Sequence, residues 1–163
     1  MADIRFVQAE SLKEKPADIS KVGFGRVFTD YMFEMDYNPE EGWHDPRIVP
    51  YQEVSLSPAN ATLHYGQAIF EGCKAYRYKG GKAVVFRAKD HIARLNKSAK
   101  ILDIPEVDEK LVYDGLMQLI DIEKDWIPDG AGQSLYIRPF IFANDPFLGV
   151  SVSKCYKLMI ILS

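Results

Sequence analysis

Ser134-Leu-Tyr-Ile-Arg-Pro-Phe140 reads as a β-strand whose two faces differ in kind. Side chains two apart on a strand share a face, so Leu135 and Ile137 turn one way and Tyr136 and Arg138 the other. With the aliphatic pair in the core, a phenol and a guanidinium open together onto a cleft or onto solvent. Arginine offers a planar fork that matches a carboxylate or phosphate in two parallel hydrogen bonds, and a neighbouring tyrosine hydroxyl supplies a third donor. The same pattern also suits an arginine on an exposed edge strand, so the rest of the chain has to decide between them.

Working outward, the apolar run continues to Ala143, and a second one spans Tyr156 to Leu162. Both read as core strands, joined by a loop holding Asn144, Asp145, Pro146 and Gly149. Upstream, Ile92, Leu95, Ala99 and Leu102 fall three or four apart, which predicts an amphipathic helix over Ala88 to Leu102, ended by Asp103 to Pro105. A second helix is predicted next, capped by Asp108, burying Leu111, Val112, Leu116, Leu119 and Ile120, and closed by Pro128, Asp129 and Gly130. Cys73 to Lys79 and Lys82 to Phe86 flank Gly80 and Gly81, the signature of a hairpin with a two-residue turn, since glycine takes positive φ freely.

Further strands are expected at Val27 to Tyr37, which alternates with one partly polar face, and at Arg47 to Ser55, where Pro50 weakens the pattern. Asn38 to Gly42 forms the turn between them. Pro58 to Asn60 suits a loop or one helical turn, and Thr62 to Gly72 fits helix and extended chain equally. Strands with two adjacent helices define an α+β fold, an antiparallel-rich sheet with two helices packed on it. Residues 1–20 are polar and irregular and read as a flexible arm, with the α+β domain at 21–163. Lys157-Leu-Met-Ile-Ile-Leu-Ser163 stops without turn, cap or polar tail, which leads to the expectation that the chain is the N-terminal part of a longer protein.

The chain has 163 residues, 47% of them hydrophobic, enough for one buried core. Twenty basic and 23 acidic residues are interspersed, giving a net charge of −3 and no electrostatic footprint for nucleic acid or an anionic membrane. No window approaches the length of a membrane span. The charges of the first sixteen residues interrupt any secretory signal, and Cys73 and Cys155 form no framework, so a cytoplasmic setting is expected. His44, His64 and His91 are scattered without metal-ligand spacing, so no metal site is expected. Gly80-Gly81-Lys82 lacks the Ser or Thr of a phosphate-binding loop, Gly23-Phe24-Gly25 lacks the third glycine of a dinucleotide fingerprint, and no nucleophile elbow is present.

Three pieces carry chemistry. His64 to Tyr76 is aromatic and punctuated by Gly66 and Gly72, which let backbone run close to a ligand or partner. Arg94 sits at the shoulder of the first helix, beside Leu95, a place that suits a solvated charge as well as a ligand contact. The third is the Tyr136 and Arg138 strand with the loop that follows it.

In this order the pieces resemble the N-terminal domain of the branched-chain aminotransferases, within the D-alanine-aminotransferase-like, class IV group of pyridoxal-phosphate enzymes. The resemblance runs through Gly23-Phe-Gly-Arg-Val-Phe-Thr-Asp30, Leu63-His-Tyr-Gly-Gln67, Phe70-Glu-Gly72, Phe86-Arg87, Arg94-Leu95, Lys124-Asp-Trp126, Ser134-Leu-Tyr-Ile-Arg-Pro139 and Leu148-Gly-Val150. It implies that Arg94 binds the phosphate of pyridoxal 5'-phosphate, that Tyr136 and Arg138 lie at the substrate end near the α-carboxylate, and that Phe24 and Phe70 wall a branched side chain. The two guanidinium groups are then expected at opposite ends of one cavity.

It further implies that Tyr65, Leu148 and Val150 reach into the pocket of a neighbouring subunit, so that the intact enzyme is a homodimer. The expected reaction moves an amino group between L-leucine, L-isoleucine or L-valine and 2-oxoglutarate. An apolar pocket separates these three poorly, since one methylene is worth only about 1 to 3 kcal/mol. In the family the Schiff-base lysine lies in a C-terminal domain, and none of the thirteen lysines here matches its surroundings. This chain alone is therefore expected to be inactive. A D-amino-acid aminotransferase, an aminodeoxychorismate lyase and a non-catalytic binding or dimerisation module remain as other readings.

Overall fold

The computed structural model describes residues 3–18 and 21–163. The boundary expected between arm and domain at Ser20 falls on residues outside that description. Among the described residues one eight-stranded sheet forms, built from β1 (Arg5–Phe6), β2 (Tyr31–Asn38), β3 (Gly42–Pro50), β4 (Ala68–Phe70), β5 (Cys73–Arg77), β6 (Ala83–Val85), β7 (Leu135–Ala143) and β8 (Tyr156–Leu162). The path across it is β1-β3-β2-β8-β7-β5-β6, with β4 also paired to β7. Every pairing is antiparallel except that of β1 with β3. Within the polar lead, then, Arg5 and Phe6 extend the sheet, and Arg5 adds a two-pronged bond to Asp45.

Helices α2 (Ala88–Ile101) and α3 (Glu109–Ile122) follow the predicted 3.6-residue stripes. Asp108 caps α3 by accepting from the backbone N–H groups of Lys110 and Leu111 at 2.8 and 3.1 Å. The helix closes at Ile122, earlier than the proline signal suggested, because the chain tightens into a short 3-10 turn over Lys124–Trp126. Both helices cover one face of the sheet. Ile92, Leu95, Leu116 and Leu119 meet the odd-numbered side chains of β7, Leu135, Ile137 and Ile141, in the main core. Burial of each such leucine contributes about 1.5 to 3 kcal/mol relative to exposure. Gly115 costs helix propensity, yet a Cβ there would stand 2.4 Å from the Phe33 ring, so the glycine is what lets α3 lie close on β2.

The opposite face carries a smaller apolar cluster of Met32, Val49, Phe142 and Met159. Beside it lies an ionic network: Arg47 donates to Glu34 at 2.7 Å and pairs with Asp36 at 2.7 Å, while Lys157 reaches Asp36 at 2.7 Å. Burial pushes the Asp36 carboxyl upward, but hydrogen bonds from Lys157 and Arg47 outweigh it and hold the group below its ordinary range.

Three boundaries depart from expectation. β2 begins at Tyr31 and not at Val27, because the Phe28 and Thr29 carbonyls accept from Lys13 Nζ, outside the ladder. β3 runs from Gly42 to Pro50 rather than from Arg47 to Ser55, so the turn glycine starts the strand and the proline ends it. The β5–β6 hairpin uses three residues, Lys79–Gly81, since Tyr78 still bonds to Lys82. Both glycines take positive φ, as the turn requires.

The ambiguous segment divides in two. Helix α1 (Ala61–Tyr65) is capped by the Asn60 side chain and ends at Gly66, whose φ of 68° is left-handed. β4 and β5 then pair with β7 in one continuous register, Phe70 opposite Phe140 and Cys73 opposite Ile137. Between them the Glu71 N–H donates to the Pro139 carbonyl at 2.8 Å. Proline has no N–H to return the bond, so the ladder is interrupted at Glu71 and Gly72. No helix among the described residues is long and apolar enough to cross a membrane.

Candidate active site

The interruption opposite Pro139 is where the site forms. Alternation along the β4–β5 segment sends Phe70 and Gly72 to the face that also bears Tyr136 and Arg138, and sends Glu71 to the helix face. On the first of these faces the Arg138 guanidinium lies over the Phe70 ring, 4.3 Å from its centroid. Its Nη2 and Nε donate to the Tyr136 hydroxyl oxygen at 2.9 and 3.3 Å. Because that oxygen accepts from a cation, the phenol keeps its own proton free for an incoming anion. The Tyr136 ring meets Phe24 edge-on at 4.9 Å. Gly72 is required here, since a Cβ at that position would come within 2.2 Å of the Tyr136 hydroxyl.

Two hollows flank this cluster. One, of about 190 Å³, is lined by Phe24, Phe28, Tyr136, Arg138 and Ile161. The other, of about 360 Å³, shares Phe24 and Tyr136 and continues past Lys74, Trp126 and Gln133. Phe24, itself 76% exposed, borders both. Four of the expected site residues, Phe24, Phe70, Tyr136 and Arg138, are thus brought together.

Arg94 is placed differently. It rises from α2 on the helix face, and its Nε and Nη2 donate to the two oxygens of Glu71 at 2.6 and 2.7 Å. Glu71 is 5% exposed and has the His91 Nδ1 3.3 Å away. Burial pulls the Glu71 carboxyl upward, but the hydrogen bonds from Arg94 and His91 prevail and keep it below the usual range; the same bond raises Arg94. Arg94 lines neither of these two hollows. The residues that contact the two arginines, Phe70 beneath Arg138 and Glu71 beside Arg94, are consecutive and turn to opposite sides of the strand.

Tyr65, Leu148 and Val150 form a third group that borders neither hollow. The Tyr65 hydroxyl donates to the Leu148 carbonyl, and Val150 is 89% exposed. Their loop is held at its base by Asp145, which accepts from Ser153 and the Lys154 N–H, and by Gln67, whose amide bonds Ser153, Leu102 and the Tyr156 hydroxyl. Gln67 and Glu71 were not singled out from sequence. A lone carboxylate between Phe70 and Gly72, in a segment otherwise apolar, was the one available signal for Glu71. Cys73, next to it, is buried, and its thiol is pushed up to about 11 first by burial and then by the Glu71 charge, which leaves it unreactive.

Comparison with solved structures gives the class first. The fold is that of the N-terminal domain of class IV aminotransferases: a branched-chain amino acid aminotransferase from Escherichia coli matches with a TM-score of 0.61 at 28% identity, over 82% of this chain and 40% of that one. The branched-chain aminotransferase of the thermophilic archaeon Thermoproteus uzoniensis, solved with norvaline, matches with a TM-score of 0.62 at 25% identity, over 82% of this chain and 40% of that one. No family model matches the chain. Sequence narrows the class: a probable branched-chain-amino-acid aminotransferase of Staphylococcus epidermidis is 54% identical over 160 residues, 98% of this chain. The chain belongs to the branched-chain aminotransferases and corresponds to their N-terminal part. It spans 44% of the length of that relative.

Proposed function

We propose that the protein to which this chain belongs is a pyridoxal-phosphate-dependent transaminase moving the amino group between L-leucine, L-isoleucine or L-valine and 2-oxoglutarate. The observation that carries the reading is the Tyr136–Arg138 pair, two donors fixed side by side between the Phe24 and Phe70 rings. Such a pair suits a substrate that is a carboxylate at one end and apolar at the other. Arg138 binds and orients the carboxylate, Tyr136 adds a hydroxyl donor, and the two phenylalanines exclude water around the branched side chain.

Arg94 fits the phosphate of pyridoxal phosphate by its chemistry: a guanidinium held at one edge, with a side chain 62% exposed and Nη1 without a partner among the described residues. When bound, the cofactor supplies an electron sink for the bond broken at the amino acid's α-carbon. The lysine that would bind it covalently belongs, in this reading, to a C-terminal domain outside these residues, and the chain alone is inactive. Residues 21–163 then form the N-terminal domain, preceded by an arm. Exposed Tyr65, Leu148 and Val150 support a homodimer in which each subunit helps close the other's pocket. Free Cys73 and Cys155 support a cytoplasmic setting.

Arg138→Ala in the full-length enzyme tests the reading. The KM for L-leucine should rise strongly while the cofactor's absorbance stays intact, and unchanged kinetics would overturn the assignment. Assaying D-alanine beside L-leucine separates it from the D-amino-acid enzymes of the same fold.

A further inference from the structure

We propose that Glu71 is a positioning residue for Arg94: it fixes one edge of the guanidinium so that the other edge is presented, already oriented, to the cofactor phosphate. The inference rests on the aminotransferase reading, in which Arg94 meets that phosphate, and goes beyond it by giving a task to a buried carboxylate on the far side of the arginine.

Arg94 stands on the solvent-facing shoulder of α2, and an arginine in such a place normally samples many rotamers. Here it does not have that freedom. Its Nε and Nη2 are engaged in two parallel bonds of 2.6 and 2.7 Å, the fork geometry that fixes a guanidinium in plane as well as in place. Glu71 is itself held. It sits at the strand interruption created by Pro139, its backbone N–H is bonded to the Pro139 carbonyl, and its Oε2 also has the Gly72 N–H at 3.4 Å and His91 Nδ1 at 3.3 Å. The ordering of a long side chain is therefore complete before any ligand arrives, which is how preorganisation raises affinity.

The carboxylate also places a negative charge near the proposed phosphate. The guanidinium stands between the two, so its attraction acts over the shorter distance and outweighs the repulsion. Orientation is thus the larger effect of Glu71, and its removal weakens phosphate binding instead of strengthening it.

The test uses full-length apoenzyme titrated with pyridoxal phosphate and, separately, with pyridoxal, which lacks the phosphate, following protein fluorescence. Glu71→Gln should weaken pyridoxal phosphate about tenfold, the loss of one charge-assisted hydrogen bond, and leave pyridoxal binding unchanged. Arg94→Ala should lose at least as much, and the double variant no more than Arg94→Ala alone. Unchanged or tighter binding of pyridoxal phosphate by Glu71→Gln overturns the proposal, as does an equal loss for both ligands, which marks a merely structural role. If Arg94→Ala itself binds pyridoxal phosphate as tightly as the parent, the phosphate role fails and the underlying reading fails with it. Should Glu71→Gln not fold, Arg94→Lys keeps the charge without the fork. It should show the same phosphate-dependent loss, and parental affinity would overturn the proposal.

Discussion

Glu123→Gln should abolish a pH dependence of stability that the parent chain shows between about pH 4.5 and 7. Glu123 is 2% exposed, at the end of α3, and its Oε1 accepts the Tyr31 N–H at 2.5 Å. Burial, helped by the charge of adjacent Asp30 and opposed by the Tyr31 hydrogen bond, lifts its carboxyl from 4.5 to about 7. The folded chain therefore holds this proton over a range in which the unfolded chain has released it. Between those two values folding takes up protons, so stability falls as pH rises; the contribution is full below the unfolded value and gone above the folded one. A difference of about 2.5 pH units at about 1.4 kcal/mol each amounts to about 3.5 kcal/mol. Glutamine keeps an acceptor for Tyr31 and cannot ionise. Urea unfolding followed by the fluorescence of Trp126, whose indole donates to Asp30 at 2.8 Å, is the assay. The variant should match the parent near pH 5 and exceed it near pH 8. Identical slopes for the two proteins, or a parent that gains stability from pH 5 to 7, would refute the reasoning.

Gly72→Ala should lower the thermal midpoint, with a cost of about 1 to 3 kcal/mol, because its methyl displaces the Tyr136 hydroxyl. Adding Tyr136→Phe removes the nearest clashing atom, so the combined loss should be less than the sum; strict additivity would contradict the close approach. Gly115→Ala should also destabilise by about 1 to 3 kcal/mol despite alanine's better helix propensity, since the new methyl meets Phe33; a gain in unfolding free energy would show that α3 has room to move.

Strands β7 and β8 and helices α2 and α3 were legible because each states its own period: alternation in Leu135 to Ala143, spacings of three and four in Ile92, Leu95 and Ala99. The pairing of Tyr136 with Arg138 followed from the same alternation. What stayed hidden depends on a partner distant in the chain. Thr62 to Gly72 was ambiguous because its break is imposed by a missing donor on Pro139, in another strand. Arg5 and Phe6 looked irregular because two residues carry no period; the backbone of β3 makes them a strand. The Glu71–Arg94 pair needs both a strand interruption and a helix face, and neither segment announces the other. That same alternation, traced through Phe70 and Glu71, turns the contacts of Arg138 and Arg94 to opposite sides of one strand.

The charged network of Glu34, Asp36, Arg47 and Lys157 sets the alignment of the sheet's middle strands. A slide of β2 by one residue against β3 and β8 would turn Glu34 and Asp36 inward beneath the helices, among leucines and isoleucines with no cation in reach, while Phe33 and Met35 would come out. The four side chains thus act as a lock on registration, making near-miss pairings costly and leaving Tyr136 and Arg138 one place to stand.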